Sequence, residues 1–136
     1  MDWYYDGQLF DLEESLLMEY QGFVYLIEEL DTGMKYIGKK FFWKPKILPV
    51  TKTRKRRKKT IVESDWKSYY GSNKELREKI GDGSNYRRTI LRLCRTKGEC
   101  SYYEAKYQFE NDVLLREDYY NELIQCRINS KHLKAK

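Results

Sequence analysis

Between Thr32 and Val62 the chain places twelve Lys or Arg and no acid, although its net charge is only +6, so the rest of it is net acidic. Within that stretch Lys52, Arg54, Lys55, Arg56, Arg57, Lys58 and Lys59 are crowded together. Such a run repels itself when packed and is stable in water or against a polyanion. Nucleic acid is the polyanion these residue types fit. Their phosphate contacts position a duplex without reading it and weaken steeply with salt. A solvated charge run or a localisation signal is the plainer alternative. Cys94, Cys100, Cys126 and His132 could nominally supply zinc ligands. The gap between the first two exceeds the usual spacing, however, and idle reduced thiols are the expectation.

Two tyrosines gain interest from the elements that must carry them. Gly22–Glu29 is rich in β-formers, Asp31-Thr32-Gly33 is a turn signal and Met34–Lys40 returns, which predicts a β-hairpin. With Asp31 and Thr32 as the loop, Tyr25 pairs with Gly38 and Ile27 with Tyr36. Tyr25 and Tyr36 are then diagonal neighbours on one face, and Gly38 leaves space beside Tyr25.

Upstream, Leu12, Leu16, Leu17 and Tyr20 at helical spacing predict a short covering helix within 11–20. Residues 41–62 hold both prolines, Pro45 and Pro49, and read as an irregular basic insertion. Ser64 or Asp65 is placed to cap a helix near Trp66. Ser72 or Asn73 is placed to cap a second helix over 74–80. Residues 86–95 alternate Thr89, Leu91 and Leu93 against Arg88, Ile90 and Arg92, a third strand with one basic face. Tyr103, Tyr107, Phe109, Val113 and Leu114 predict a helix over 101–115 that turns Glu104 away from the core. The expected class is α+β: a three-stranded antiparallel sheet flanked by helices. Residues 1–20 form a covering segment of it, and 21–136 form the working domain with its basic insertion at 41–62.

Gly22-Phe23-Val24-Tyr25 followed by Tyr36-Ile37-Gly38 resembles the paired motif of the GIY-YIG nucleases, with eleven positions from one tyrosine to the other. Glu104-Ala105-Lys106-Tyr107 resembles the family's metal-binding helix, and Tyr120-Asn121 the pair that closes many members. More narrowly, Tyr36-Ile37-Gly38-Lys39-Lys40, Asp65-Trp66-Lys67-Ser68-Tyr69-Tyr70-Gly71-Ser72 and Glu99-Cys100-Ser101-Tyr102 look like small phage-encoded members.

The resemblance, which spans Gly22 to Asn121, implies a DNA endonuclease that hydrolyses phosphodiester bonds with one divalent cation, Mg²⁺ or Mn²⁺, held by Glu104. It implies that Tyr25 takes the attacking water's proton, that Tyr36 orients water or phosphate and that Asn121 is a polar scaffold. Asn129 is the alternative to Asn121 if the last motif is shifted. The family's catalytic Arg, on the helix after the second tyrosine, has no counterpart. Lys67 is the substitute, and Arg54, Arg56 or Arg57 folding back is the alternative. Lysine offers a point cation without arginine's two-pronged contact. Lys39 and Lys40 join the basic run as DNA contacts. A tyrosine ionises only near pH 10, so its role requires nearby positive charge and gives activity that rises towards alkaline pH.

At 136 residues the chain suits one ordinary domain. A second DNA-reading domain has no room, so recognition falls to the basic insertion, the termini or a second subunit. A homodimer is expected if both strands are cut. No apolar run is long enough to span a bilayer, and Met1-Asp2-Trp3-Tyr4-Tyr5-Asp6 lacks the features of a signal peptide. No membrane partner is therefore expected. The expected location is cytoplasmic, that of a bacterial host if the chain is phage-encoded. Two other functions compete: a catalytically inactive nucleic-acid-binding protein on the same scaffold, and a small interaction module aimed at an acidic protein surface. Metal-dependent cleavage excludes the first, and salt-sensitive DNA binding counts against the second.

Overall fold

A computed structural model describes residues 2–81 and 83–134. In chain order the elements are β1 (Trp3–Tyr5), β2 (Gln8–Leu9), α1 (Glu14–Leu17), β3 (Gly22–Glu29), β4 (Lys35–Phe41), β5 (Trp43–Leu48), β6 (Lys58–Glu63), α2 (Lys74–Lys79), β7 (Tyr86–Cys94) and α3 (Lys97–Glu110). Single 3₁₀ turns lie at Trp66–Ser68 and Ser130–His132.

The predicted hairpin forms in the predicted register: β3 and β4 run antiparallel, with Tyr25 opposite Gly38 and Ile27 opposite Tyr36. Strand β7 pairs antiparallel with the other side of β3. The α+β class stands, but the sheet is larger than the three antiparallel strands expected. Its order is β2-β1-β7-β3-β4, and β1 runs parallel to β7. The extra strands lie ahead of the helix expected within 11–20, and of that helix only Glu14–Leu17 forms. Trp3-Tyr4-Tyr5 are strand formers, and the Asp6-Gly7 corner, with φ of 53° and 78°, turns the chain as a tight hairpin requires. Trp3 is buried. Its ring lies 4.9 Å from Phe23 and 5.6 Å from Tyr25, and its indole N–H donates to the Trp66 carbonyl at 2.8 Å.

A bulge corrects the reading of the third strand. Val24 pairs with Arg92 and Tyr25 with Ile90, so Leu91 is the extra residue and the side-chain alternation reverses there. Arg88 and Arg92 consequently lie on opposite faces, and no basic face forms. Arg88 is 1% exposed. It donates to the Tyr69 carbonyl at 2.8 Å and stacks between Trp3 and Tyr70 at 4.6 and 4.2 Å. Arg92 lies 3.7 Å over the Tyr103 ring of α3.

Each face of the sheet has its own core. Trp3, Phe23, Tyr25, Ile27, Phe42 and Trp66 pack on one face. Val24, Ile37, Cys94, Cys100 and Val113 pack on the face covered by α3. Thr96 caps α3 by accepting from the Glu99 N–H at 3.0 Å. The helix therefore starts earlier than its apolar residues predict; it also ends earlier, at Glu110, before Asp112, which turns left-handed with φ of 49°, and Phe109 is left 65% exposed. The helix expected at Trp66 is reduced to a 3₁₀ turn, because Asp65 makes no capping bond and Tyr69 turns extended. Asn73 caps α2 as expected. The insertion at 41–62 is not irregular: β5 and β6 pair as a two-stranded ribbon. Both its strands are edges, where Pro45 is tolerated. Trp3→Ala is expected to cost about 3–5 kcal/mol in urea denaturation, the loss of a core residue rather than of a cover.

Candidate active site

Tyr25 is buried, and its ring lies against the backbone of Gly38. A Cβ at position 38 would stand 2.7 Å from Cζ of Tyr25 and 3.0 Å from Cε1 of Tyr36, and closer still to the Tyr25 hydroxyl. No side chain fits there without displacing one ring, so glycine is a packing requirement. Gly71, with φ of 93°, approaches the same hydroxyl from α2's side. The Tyr25 and Tyr36 rings are 6.2 Å apart, diagonal neighbours as the register demands. The Tyr36 hydroxyl lies 3.0 Å from Ser72 Oγ. Burial pushes the Tyr25 hydroxyl well above the usual tyrosine range, and Tyr69, Tyr36 and Glu104 add to the effect. Burial raises Tyr36 as well, against the Ser72 hydrogen bond.

Beside these rings a polar cleft of about 460 Å³ wraps the outer edge of β4, lined among others by Tyr36, Lys39, Ser72, Glu104, Gln108 and Asn121. Its polar groups come from three directions. Tyr36 arrives from one face of the sheet. Lys39, opposite Val24, belongs to the other face, where α3 brings Glu104 and Gln108. Asn121 closes the edge between them. The Glu104 side chain is 15% exposed, with Oε1 3.7 Å from Lys39 Nζ, and Lys39 also donates to Ser101 Oγ at 2.9 Å. Burial raises the Glu104 carboxyl above its ordinary value, and Lys39 opposes that shift.

Asn121 acts on the backbone of β4. Its Oδ1 accepts from the Ile37 N–H at 3.1 Å, and its Nδ2 donates to the Ile37 carbonyl at 2.8 Å. Gln108 Nε2 donates to the same carbonyl at 3.0 Å. The residues before Asn121 run along this edge too: Lys35 N–H donates to the Asp118 carbonyl at 2.8 Å, and Tyr120 N–H to the Lys35 carbonyl at 2.7 Å. Asn129 lies elsewhere, capping the turn at Ser130–His132.

The cations divide differently from the sequence reading. Lys67 lines a separate cavity of about 500 Å³ with Trp3, Glu63 and Trp66. Arg54 donates to the Pro49 carbonyl at 2.7 Å, which ties the ribbon tip together, and neither it nor Arg56 nor Arg57 lines the cleft. Lys39 is the strand cation that reaches Glu104. The sequence reading counted it only as a DNA contact. The missed signal is strand alternation, which sends Lys39 to the face opposite Tyr36. Lys40 turns to the tyrosine side, 2.6 Å from Asp65 and 4.1 Å over the Tyr69 ring. That hydrogen bond holds the Asp65 carboxyl below its usual range. Ser72 and Tyr69 carry no local pattern that marks them as site residues, whereas Gln108 follows from Glu104, four residues earlier on the same helix face.

Metal-binding options reduce to one. Among the described residues no group of three or more His, Cys, Asp or Glu could hold an ion, so the nominal zinc set does not assemble. Cys94 and Cys100 are buried and Cys126 is exposed. The hydrogen bond with Cys94, and then burial, push the Cys100 thiol up, away from the thiolate that zinc needs. A hydrated divalent cation of the Mg²⁺ type asks less of a protein, namely one or two carboxylates plus substrate phosphate and water. Glu104 fits that need. One helical turn on, Gln108 Oε1 is buried without a hydrogen-bond partner in the cleft wall, an acceptor suited to ion-bound water. Asn121→Ala leaves the Ile37 N–H and part of its carbonyl unmet, and is expected to cost about 2 kcal/mol in chemical denaturation.

No curated protein and no solved structure matches the chain. The family model described as "Putative endonuclease segE, GIY-YIG domain" matches residues 3–124, which takes in β1 at one end and Asn121 at the other. The chain belongs to the GIY-YIG nuclease family.

Proposed function

We propose that the protein is a divalent-metal-dependent DNA endonuclease that hydrolyses phosphodiester bonds in the cleft at the edge of β4. The observation that carries this reading is the convergence of Tyr36, Lys39 and Glu104 on that cleft against the buried Tyr25. Glu104 would hold Mg²⁺ or Mn²⁺, which when bound supplies charge stabilisation to the phosphate. Lys39 exchanges Glu104 for a phosphate oxygen and provides the positive charge for which Lys67 stood in the sequence reading. Tyr36, set by Ser72, orients water or phosphate. Tyr25 accepts the attacking water's proton, and Asn121 and Gln108 keep the backbone between Tyr36 and Gly38 in place. Lys40, Lys52, Lys55, Arg56, Arg57, Lys58 and Lys59 contact the DNA backbone. Two copies act together where both strands are cut. The site of action is the cytoplasm, that of a bacterial host for a phage-encoded chain. No helix among the described residues is long and apolar enough to cross a membrane.

A second reading, a DNA-binding protein without catalysis, is favoured by one observation: burial opposes the Tyr25 phenolate. Supercoiled plasmid incubated with and without Mg²⁺ decides between them. The parent is expected to nick only with metal, and Glu104→Ala, Tyr25→Phe and Lys39→Met each to lose roughly a hundredfold or more. Binding without nicking sinks the endonuclease reading.

The pH dependence follows from the same groups. Because the Tyr25 pKa lies above the ordinary value, its phenolate fraction grows about tenfold per pH unit through neutral and mildly alkaline pH. The nicking rate should rise with a log–log slope near one over that range, and a flat profile removes Tyr25 as the base.

Glu104 carries a cost in stability. Its folded-state pKa is raised, so the stability it contributes is fully present below the ordinary value of 4.5 and is lost as pH rises through the raised one. Thermal melts of Glu104→Gln should therefore gain on the parent from acid towards neutral pH while nicking is lost. A neutral-pH melt below the parent's contradicts this.

A further inference from the structure

The β5–β6 ribbon stands apart from the main sheet, its six-residue strands pairing only with each other. A lone two-stranded hairpin buries too little to be stable without a partner surface. Direct partners share a face: Lys44 with Val62, Lys46 with Thr60, and Leu48 with Lys58. One face of the ribbon therefore carries Lys44, Lys46 and Lys58 around Thr60, with Leu48 and Val62 beside them, while Trp43, Pro45, Ile47, Lys59, Ile61 and Glu63 lie on the other. Lys44, Lys46 and Lys58 are exposed and make no salt bridge among the described residues. The tip is built rather than loose. Thr51 and Arg54 exchange backbone hydrogen bonds at 2.9 and 3.2 Å, which leaves Lys52, Lys55, Arg56 and Arg57 projecting into solvent.

We propose that this ribbon is a DNA-reading element that enters the major groove on its lysine face. Lys46 and Thr60 meet base edges there, and the tip cations hold the flanking phosphates. The proposal rests on the endonuclease reading and adds to it a means of choosing sequence. Strands about 4.8 Å apart and about 20 Å long suit a groove about 12 Å wide, which admits a two-stranded ribbon. Lysine donates to guanine O6 and N7, and threonine bonds to any base. A loop that only tracked phosphates would have no use for this ordered alternation. The lysine face is also free of the acids that would compete with DNA.

The test uses the full chain, in chelator, with a pool of short duplexes randomised in sequence. Bound duplexes are recovered with the parent and with Lys46→Ala/Thr60→Ala, Lys55→Ala/Arg56→Ala and Ile61→Thr variants. The parent is expected to enrich a base pattern. The first variant is expected to lose that pattern and to bind the preferred duplex roughly tenfold more weakly. The tip variant should weaken every duplex alike and flatten the salt dependence by about two phosphate contacts, with the base pattern kept. Ile61→Thr should behave as the parent does. Methylation of guanine N7 in the preferred duplex should match the first variant's loss. The proposal falls if the parent enriches no pattern, if Lys46→Ala/Thr60→Ala keeps the parent's pattern, or if Ile61→Thr is the change that weakens binding. Metal-dependent nicking by the first variant shows that it is folded. Parent nicking together with any of those failures overturns the ribbon alone. A parent that neither binds nor nicks any DNA overturns the endonuclease reading with it.

Discussion

The contact between the Tyr25 ring and the bare backbone of Gly38 is the constraint on which the rest of the site depends. Because any Cβ at 38 would strike both tyrosine rings, only one register of β3 against β4 lets the buried ring lie flat on its partner strand. A slip of one residue would send Tyr36 and Lys39 to the wrong faces. The bulge on β7 then acts on a frame already set. By reversing the alternation at Leu91, it sends Arg88 into the aromatic core and Arg92 to α3, and so removes both from the DNA-facing inventory.

A second constraint follows from where β4 lies. It is the last strand of the sheet, and an open edge must be covered or filled with charge. Here the cover is the chain from Asp118 to Asn121, whose side chain completes at Ile37 the pairing that the backbone begins at Lys35. Covering the edge also builds the cleft. Asn121, bound to Ile37, forms one wall of it, and α3, capped at Thr96, brings Gln108 to the Ile37 carbonyl and Glu104 against Lys39 as the opposite wall.

The parts of this arrangement legible in the sequence were those with local causes. The hairpin register could be counted from Asp31-Thr32-Gly33, and the Asn73 cap and the Tyr25–Tyr36–Gly38 grouping follow from alternation. What escaped has long-range causes. Trp3 reads as part of an unremarkable N-terminus until Phe23 and Trp66 are seen to need it. The Leu91 bulge is invisible in a run that alternates cleanly. The insertion's prolines suggest an irregular course, although a ribbon with two edges tolerates them. Lys67 reads as the substitute from its place after the second tyrosine, yet the turn at Trp66–Ser68 never grows into the helix that would aim it. Lys39 reads only as a DNA contact because its partner Glu104 is distant in sequence.

In the free protein the site holds its groups in their less favourable states. Burial keeps Tyr25 from ionising, Glu104 is half-buried with a lysine for company, and the exposed lysines of the ribbon make no salt bridge among the described residues. On the proposed reading, the last two would be relieved by the arrival of a phosphate backbone, whereas the Tyr25 phenolate would need the cation that comes with it. On that reading, phosphate would take Lys39 from Glu104, and the carboxylate, left without its counter-charge in a low-dielectric cleft, would be a stronger site for a divalent cation. Cation and DNA would therefore favour one another's binding, by the reciprocity that linkage requires. On this account the lysine in the cleft does not merely fill the place of the family's arginine. A guanidinium keeps its charge pinned in a fixed fork, whereas an ammonium on a flexible stem can change partners, and that exchange couples the assembly of the site to the presence of its substrate.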